Sequence, residues 1–202
     1  MKTKTLFGIP FATILLASSL FTTASAQVSL GVAGAAAFRW GTIGKFESLG
    51  GGYNIEARYV IKNRLAVGAN YRFVTFGPEK PLASNVKYNL YYTNYSVSAE
   101  YYIIKYNKGK FRPYVGADFG RYNFYTLTTI DLGKPIGKIS QKLNKDYFGF
   151  APVIGLSYRV FKRLDIYVTN RYDFVFIEKG APIGYTSLNL GVKYDLWKGK
   201  KQ

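Results

Sequence analysis

The stretch "RLDIYVTNRYDFVF", Arg163 to Phe176, decides the fold class. Leu164, Ile166, Val168, Tyr172, Phe174 and Phe176 share one parity; Asp165, Tyr167, Thr169, Arg171 and Asp173 share the other. A β-strand points successive side chains to opposite faces. One face of this segment is therefore apolar, and the other carries two acids and an arginine. The fold must supply a different environment for each.

Seven more runs of the same kind flank it. Counting alternation along the chain predicts strands at about Val28–Trp40, Gly52–Ile61, Leu65–Phe76, Tyr91–Ile104, Phe111–Leu127, Tyr147–Val160, Leu164–Ile177 and Thr186–Trp197. Only "GADFGRYNF" breaks phase, near Gly120, which predicts a bulge there. Helical periodicity is missing. The composition agrees, with 19 Tyr, 15 Phe and 21 Gly but a single Met.

The connections alternate in length. "KNR" (62–64), "KYNKGK" (105–110) and "FKR" (161–163) are short, whereas 41–51, 77–90, 128–146 and 178–185 are longer. Short turns at one end and long loops at the other are the pattern of an up-and-down transmembrane barrel, turns periplasmic and loops outside. The predicted fold is all-β: an eight-stranded antiparallel up-and-down transmembrane β-barrel over residues 27–198, with its apolar face on lipid. A soluble barrel would reverse the faces, and parity alone does not separate the two. An export signal, runs of ten or more residues, and Tyr and Phe near strand ends favour the membrane.

Residues 1–26 have the form of a secretory signal peptide. Lys2 and Lys4 precede the apolar "LFGIPFATILLASSLF", and Ala24, Ser25 and Ala26 form a cleavage site before Gln27. Residues 199–202 form a short basic periplasmic tail. No peptidoglycan-binding domain is expected after the barrel.

The formal charge of +17 sorts by position. The inward parity carries the acids Glu56, Glu100, Asp118, Asp165, Asp173 and Asp195, and the bases Arg39, Arg58, Arg72, Arg159, Arg171 and Lys193. An eight-stranded lumen is just wide enough for side chains to fill, and charges buried there must be paired. Arg159 is expected to face Asp165 across the "FKR" hairpin, with Val160 facing Leu164, and Arg72 to lie near the height of Glu56 and Glu100. The set fits a structural plug or, as the alternative, an ion path.

The excess charge falls at the ends. Lys62, Arg64, Lys105, Lys108, Lys110, Arg112, Lys162, Arg163, Lys198, Lys200 and Lys201 form a periplasmic rim without an acid. Such a rim would attract anionic phospholipid head groups. In the third outer loop, Lys134, Lys138, Lys142 and Lys145 are candidates for lipopolysaccharide phosphates, unless that loop is simply solvated and mobile. No nucleic-acid-binding motif is present.

The last strand contains "NLGVKYDL", with Asn189, Gly191, Tyr194 and Leu196 at the spacing of a β-signal for the barrel-assembly machinery; Trp197 is followed by "KGKKQ" instead of ending the chain. Together with the export signal and loop alternation, this strand makes the chain resemble small outer-membrane β-barrels of Gram-negative bacteria. The likenesses are the OmpA transmembrane domain, OmpX and the outer-membrane β-barrel domain proteins of Bacteroidota. The resemblance implies a non-enzymatic, porin-like monomer in the outer membrane, working in envelope structure or surface binding through its loops. A narrow channel for ions or small molecules and a soluble lipocalin-like carrier are the alternatives.

The chain has no His and no Cys. No imidazole is available to activate a serine, and barrel lipases, deacylases and proteases rely on histidine. The acids alternate with arginines, so neither a metal site nor any cofactor is expected.

Overall fold

The computed structural model describes residues 27–40, 46–76, 86–131, 138–177 and 182–198. The signal peptide, the 199–202 tail, Lys134, and Lys45, Lys80 and Lys179 of the predicted loops lie outside them, as do the side chains of Glu47, Lys87, Asp131 and Lys198.

Among the described residues eight strands form the chain: β1 (Gln27–Trp40), β2 (Phe46–Ile61), β3 (Leu65–Phe76), β4 (Val86–Tyr102), β5 (Phe111–Asp131), β6 (Lys138–Phe161), β7 (Leu164–Phe176) and β8 (Ile183–Lys198). Each pairs antiparallel with its neighbours in sequence, and β8 returns to β1 to close the ring. Closure leaves no free edge along the paired wall, where ladder pairing joins each strand to both of its neighbours, as a lipid environment demands.

The two faces of the opening segment go where lipid and lumen require. Asp165, Tyr167, Thr169, Arg171 and Asp173 are buried inside the ring, while Ile166, Tyr172, Phe174 and Phe176 are exposed on its outer wall. Val97 and Leu190 on the same wall are 64% exposed. A soluble barrel would bury such residues and expose the charges. Outward aromatics meet in belts: Tyr71 and Tyr95 have ring centroids 5.1 Å apart, and Phe119 stacks on Phe148 at 6.3 Å.

Three expectations change. No bulge occurs near Gly120, because β5 keeps register with both neighbours from Tyr114 to Ile130; the apparent phase change is polar Arg121 standing on the outer face. The β6–β7 register shifts between Arg159 and Phe161, so Leu164 pairs with Phe161, not Val160, while Arg159 still pairs with Asp165. Strands also run further outward than predicted. β6 has 24 residues, well over the roughly 9–11 that cross a bilayer. The segment predicted as a third outer loop is therefore largely strand.

Candidate functional site

Two regions concentrate the chemistry: the lumen and the outward extension of β5 and β6.

Inward glycines give the lumen its room. A Cβ on Gly31 would lie 2.8 Å from Glu56 Cγ, and one on Gly68 would lie 2.9 Å from Arg58 Cδ. Long charged side chains therefore fold across the bore in layers.

At the inner end, Asp165 binds Arg112 and Arg159 and accepts hydrogen bonds from Ser157 Oγ and Tyr106 Oη, each 3.2 Å. Asp195 meets Arg159 Nη2 at 2.6 Å, accepts from Tyr106 Oη at 3.0 Å and from the Gln27 amide. The Arg112 guanidinium lies 4.1 Å from the centroid of the Tyr106 ring. Tyr106 comes from the turn between β4 and β5, and its ring packs edge-on to Tyr102 at 5.0 Å. The turn thus folds a phenol back into the mouth of the barrel.

In the middle, Arg58 bridges Glu100 at 2.8 Å and Glu56 at 3.1 Å and donates to Asn70 Oδ1 at 2.7 Å. Lys193 approaches Glu56 at 3.6 Å, and Arg171 pairs with Asp118 at 2.8 Å. Higher up, Arg72 makes two parallel bonds to Asp173, whose Oδ1 also accepts from Tyr122 Oη at 2.6 Å. Above this layer Phe76, Tyr92, Phe124 and Tyr185 pack ring on ring, Tyr92 and Tyr185 at 5.5 Å. Rings from β3, β4, β5 and β8 together cover the outer end.

Glu56, Arg58, Arg72, Glu100, Asp118, Arg159, Asp165, Arg171, Asp173, Lys193 and Asp195 thus all line the lumen. Arg72 does not share a layer with Glu56 and Glu100. It sits opposite Asn54, whereas Glu100 sits opposite Ala66, near the inner end. Arg112 is not part of the exposed rim, as expected from its neighbours, but is fully buried against Asp165. Tyr106 and Gln27 are further members that the alternation did not mark. Along β8, Asn189 is buried and Gly191 packs against the β1 backbone, while Tyr194 and Leu196 are exposed. Among the described residues no cluster of three or more acids is placed to hold a metal ion.

The second region is the hairpin. β5 and β6 pair from Phe111↔Tyr158 to Asp131↔Lys138, but β7 meets β6 only from Phe148 inward. Residues 138–147 of β6 therefore extend past β7, while the opposing residues of β5 stay paired with β4 as far as Val86↔Ile130. Lys138, Lys142 and Lys145 are exposed there. On the outward face near its base, Arg121 donates to Asp146 through Nε at 3.0 Å and Nη2 at 2.5 Å, and Asn123 Nδ2 donates to the same carboxylate at 2.9 Å.

The architecture is that of the small eight-stranded outer-membrane β-barrels. Neisserial surface protein A matches with a TM-score of 0.58 at 20% identity, over 84% of this chain and 97% of that one. Ail, the attachment invasion locus protein of Yersinia pestis, matches at 0.54 and 16% identity, over 85% and 98%. A major outer membrane protein of Thermus thermophilus matches at 0.59 and 12% identity, over 84% and 99%. No family model matches the chain, and no curated protein matches it at a significant level.

Proposed function

We propose that the protein is a non-enzymatic barrel of the bacterial outer membrane, exported by residues 1–26, whose lumen is plugged and whose work is envelope structure or surface binding. The observation that carries this reading is the contrast between bore and hairpin. The bore holds paired charges beneath a layer of packed aromatic rings, leaving the extended β5–β6 hairpin as the part that meets other molecules. Its exposed lysines suit polyanions such as lipopolysaccharide phosphates; one protein of this fold, Ail, was crystallised with the heparin analogue sucrose octasulfate. Asn189, Gly191, Tyr194 and Leu196 on the closing strand support delivery by the barrel-assembly machinery.

A narrow ion path is the second reading. It is favoured by polar atoms in the middle layer, Glu100 Oε2, Asp118 Oδ1 and Arg171 Nη1, that make no hydrogen bond within the protein. Reconstitution in planar bilayers, with lipopolysaccharide binding measured in parallel, separates the two. The plugged reading expects no steady conductance, and binding that weakens in the Lys138→Glu/Lys142→Glu/Lys145→Glu variant. Steady conductance with unchanged binding would establish the channel instead.

A further inference from the structure

The outer wall between β2 and β5 is concave. Register sets Ala57 beside Ala69 and Ala99 beside Ala117, and Tyr59, Phe119 and Phe150 rise around them. The groove has a volume of about 690 Å³ and an almost wholly apolar lining. Small residues on a lipid-facing wall do not by themselves select a ligand, since any hydrocarbon chain can lie there.

The turns beyond the inner end of the groove supply the selection. Lys62 and Asn63 turn the chain between β2 and β3 with φ of 50° and 60°, and Arg64 N–H closes the turn on Ile61 O at 3.2 Å. Two backbone bonds tie this turn to the one between β4 and β5: Tyr102 N–H to Arg64 O and Tyr106 N–H to Asn63 O, both 2.7 Å. The Arg64 side chain then lies on the outward ring of Tyr101. Its Nη1 donates to the phenol oxygen at 2.5 Å, and the guanidinium carbon is 5.7 Å from the ring centroid. Among the described residues this bond uses one of the guanidinium's five N–H donors, and the planar fork is held at the surface on a hydrogen-bonded turn. The two turns also carry Lys62, Lys105, Lys108 and Lys110 and no acid. Ile103 and Ile104, both exposed, extend the apolar surface toward them.

The spacing joins groove and cations. Ala57 lies four residues above Ile61, roughly 13 Å along a strand, within the depth of one leaflet of a core about 30 Å thick. A chain whose phosphate sits at Arg64 reaches the alanine floor. A second copy of the barrel is a poor occupant, because a symmetric contact would press two such basic turns together.

We propose that this face seats an anionic phospholipid of the inner leaflet, its phosphate on Arg64 and the neighbouring lysines and an acyl chain in the groove. Arginine suits the role because its fork matches phosphate oxygens in pairs. The inference rests on the membrane placement proposed above and concerns a surface that reading leaves unused.

The test is native mass spectrometry of the membrane-purified protein in micelles holding equal phosphatidylglycerol and phosphatidylcholine with matched chains. Heat-dependent gel mobility of the same samples separates loss of the seat from loss of the barrel. The expected result is several-fold preferential retention of phosphatidylglycerol. Arg64→Gln/Lys105→Gln should bring the ratio near one, and Ala99→Trp should reduce retention of both lipids. Ala69→Leu repeats the groove test should Ala99→Trp not fold. Equal retention by the unaltered protein overturns the proposal. So does a preference that survives Arg64→Gln/Lys105→Gln, or a dimer that Ala99→Trp abolishes while lipid retention is unchanged.

Discussion

Arg72 and Asp173 stand 101 positions apart in the chain and meet inside the barrel through two parallel bonds of 2.7 and 3.0 Å. Both are fully enclosed, and Asp173 also accepts from Tyr122. Such a pair fixes the relative height of β3 and β7, because a slip of one residue would turn either side chain out of the lumen. Removing one partner strands a buried charge, at a cost of about 3–5 kcal/mol. We expect Asp173→Leu to lower the unfolding free energy from urea titration in detergent by that order, and Arg72→Met/Asp173→Leu to recover most of it. A double variant no better than the single one would show that the pair does not act as a unit.

Tyr106 ties the β4–β5 turn to the inner layer. Its hydroxyl serves both Asp165 and Asp195, and the Arg112 guanidinium covers its ring. Tyr106→Phe keeps the ring and the cation–π contact but withdraws the donor from two buried carboxylates. The expected loss is about 1–3 kcal/mol. Tyr106→Ala should cost more, since the packing against Tyr102 goes as well. Equal effects of the two changes in the same unfolding measurement would assign the stability to the hydroxyl alone.

On the plugged reading, the aromatic lid and the ion pairs beneath it would block the bore in series. Tyr92→Ala/Tyr185→Ala removes two of four packed rings, for a loss of several kcal/mol by the usual cost of emptying an aromatic site. Conductance in planar bilayers should stay at the closed level, because Arg72, Asp173 and the layers below remain. A single rate-limiting lid would instead give an open channel in this variant, which would favour the ion-path reading.

Legibility along the chain followed the environment of each face. β3 was predicted at 65–76 and is found there, because one face meets the lumen and the other the outer wall, and the two-residue period is strong. β6 was predicted from Tyr147 and begins at Lys138. In "KISQKLNKD" both faces are exposed, so polar residues occupy either parity and the alternation disappears. The lumen charges were legible as a set, since only pairing tolerates them inside. Their layers were not, as the offset between Arg72 and Glu100 shows: counting from each turn ignores the tilt and stagger of closed barrels. Arg112 was hidden by its basic neighbours. Its burial depends on Asp165, 53 positions further along the sequence, and on a turn that folds Tyr106 inward.

The base of the projecting hairpin carries a clamp whose pH dependence has a definite sign. Arg121 and then Asn123 donate to Asp146 and hold its carboxyl below the ordinary carboxylate value, on an exposed part of β6 beyond the reach of β7. A carboxyl depressed in the folded state contributes stability above its unfolded value, near 4, and loses it as pH falls through the folded one. A titration of the Asp146 carboxyl carbon by NMR should therefore show a midpoint below about 4, rising toward the ordinary value in Arg121→Gln. Amide exchange across residues 138–146 should quicken below the midpoint in the unaltered protein. In Arg121→Gln it should be faster above that midpoint too, with the step much reduced, since the two charged donors are already gone. A midpoint that Arg121→Gln leaves unmoved would mean the clamp is not formed in solution, and the hairpin would then owe its order to strand pairing among β4, β5 and β6.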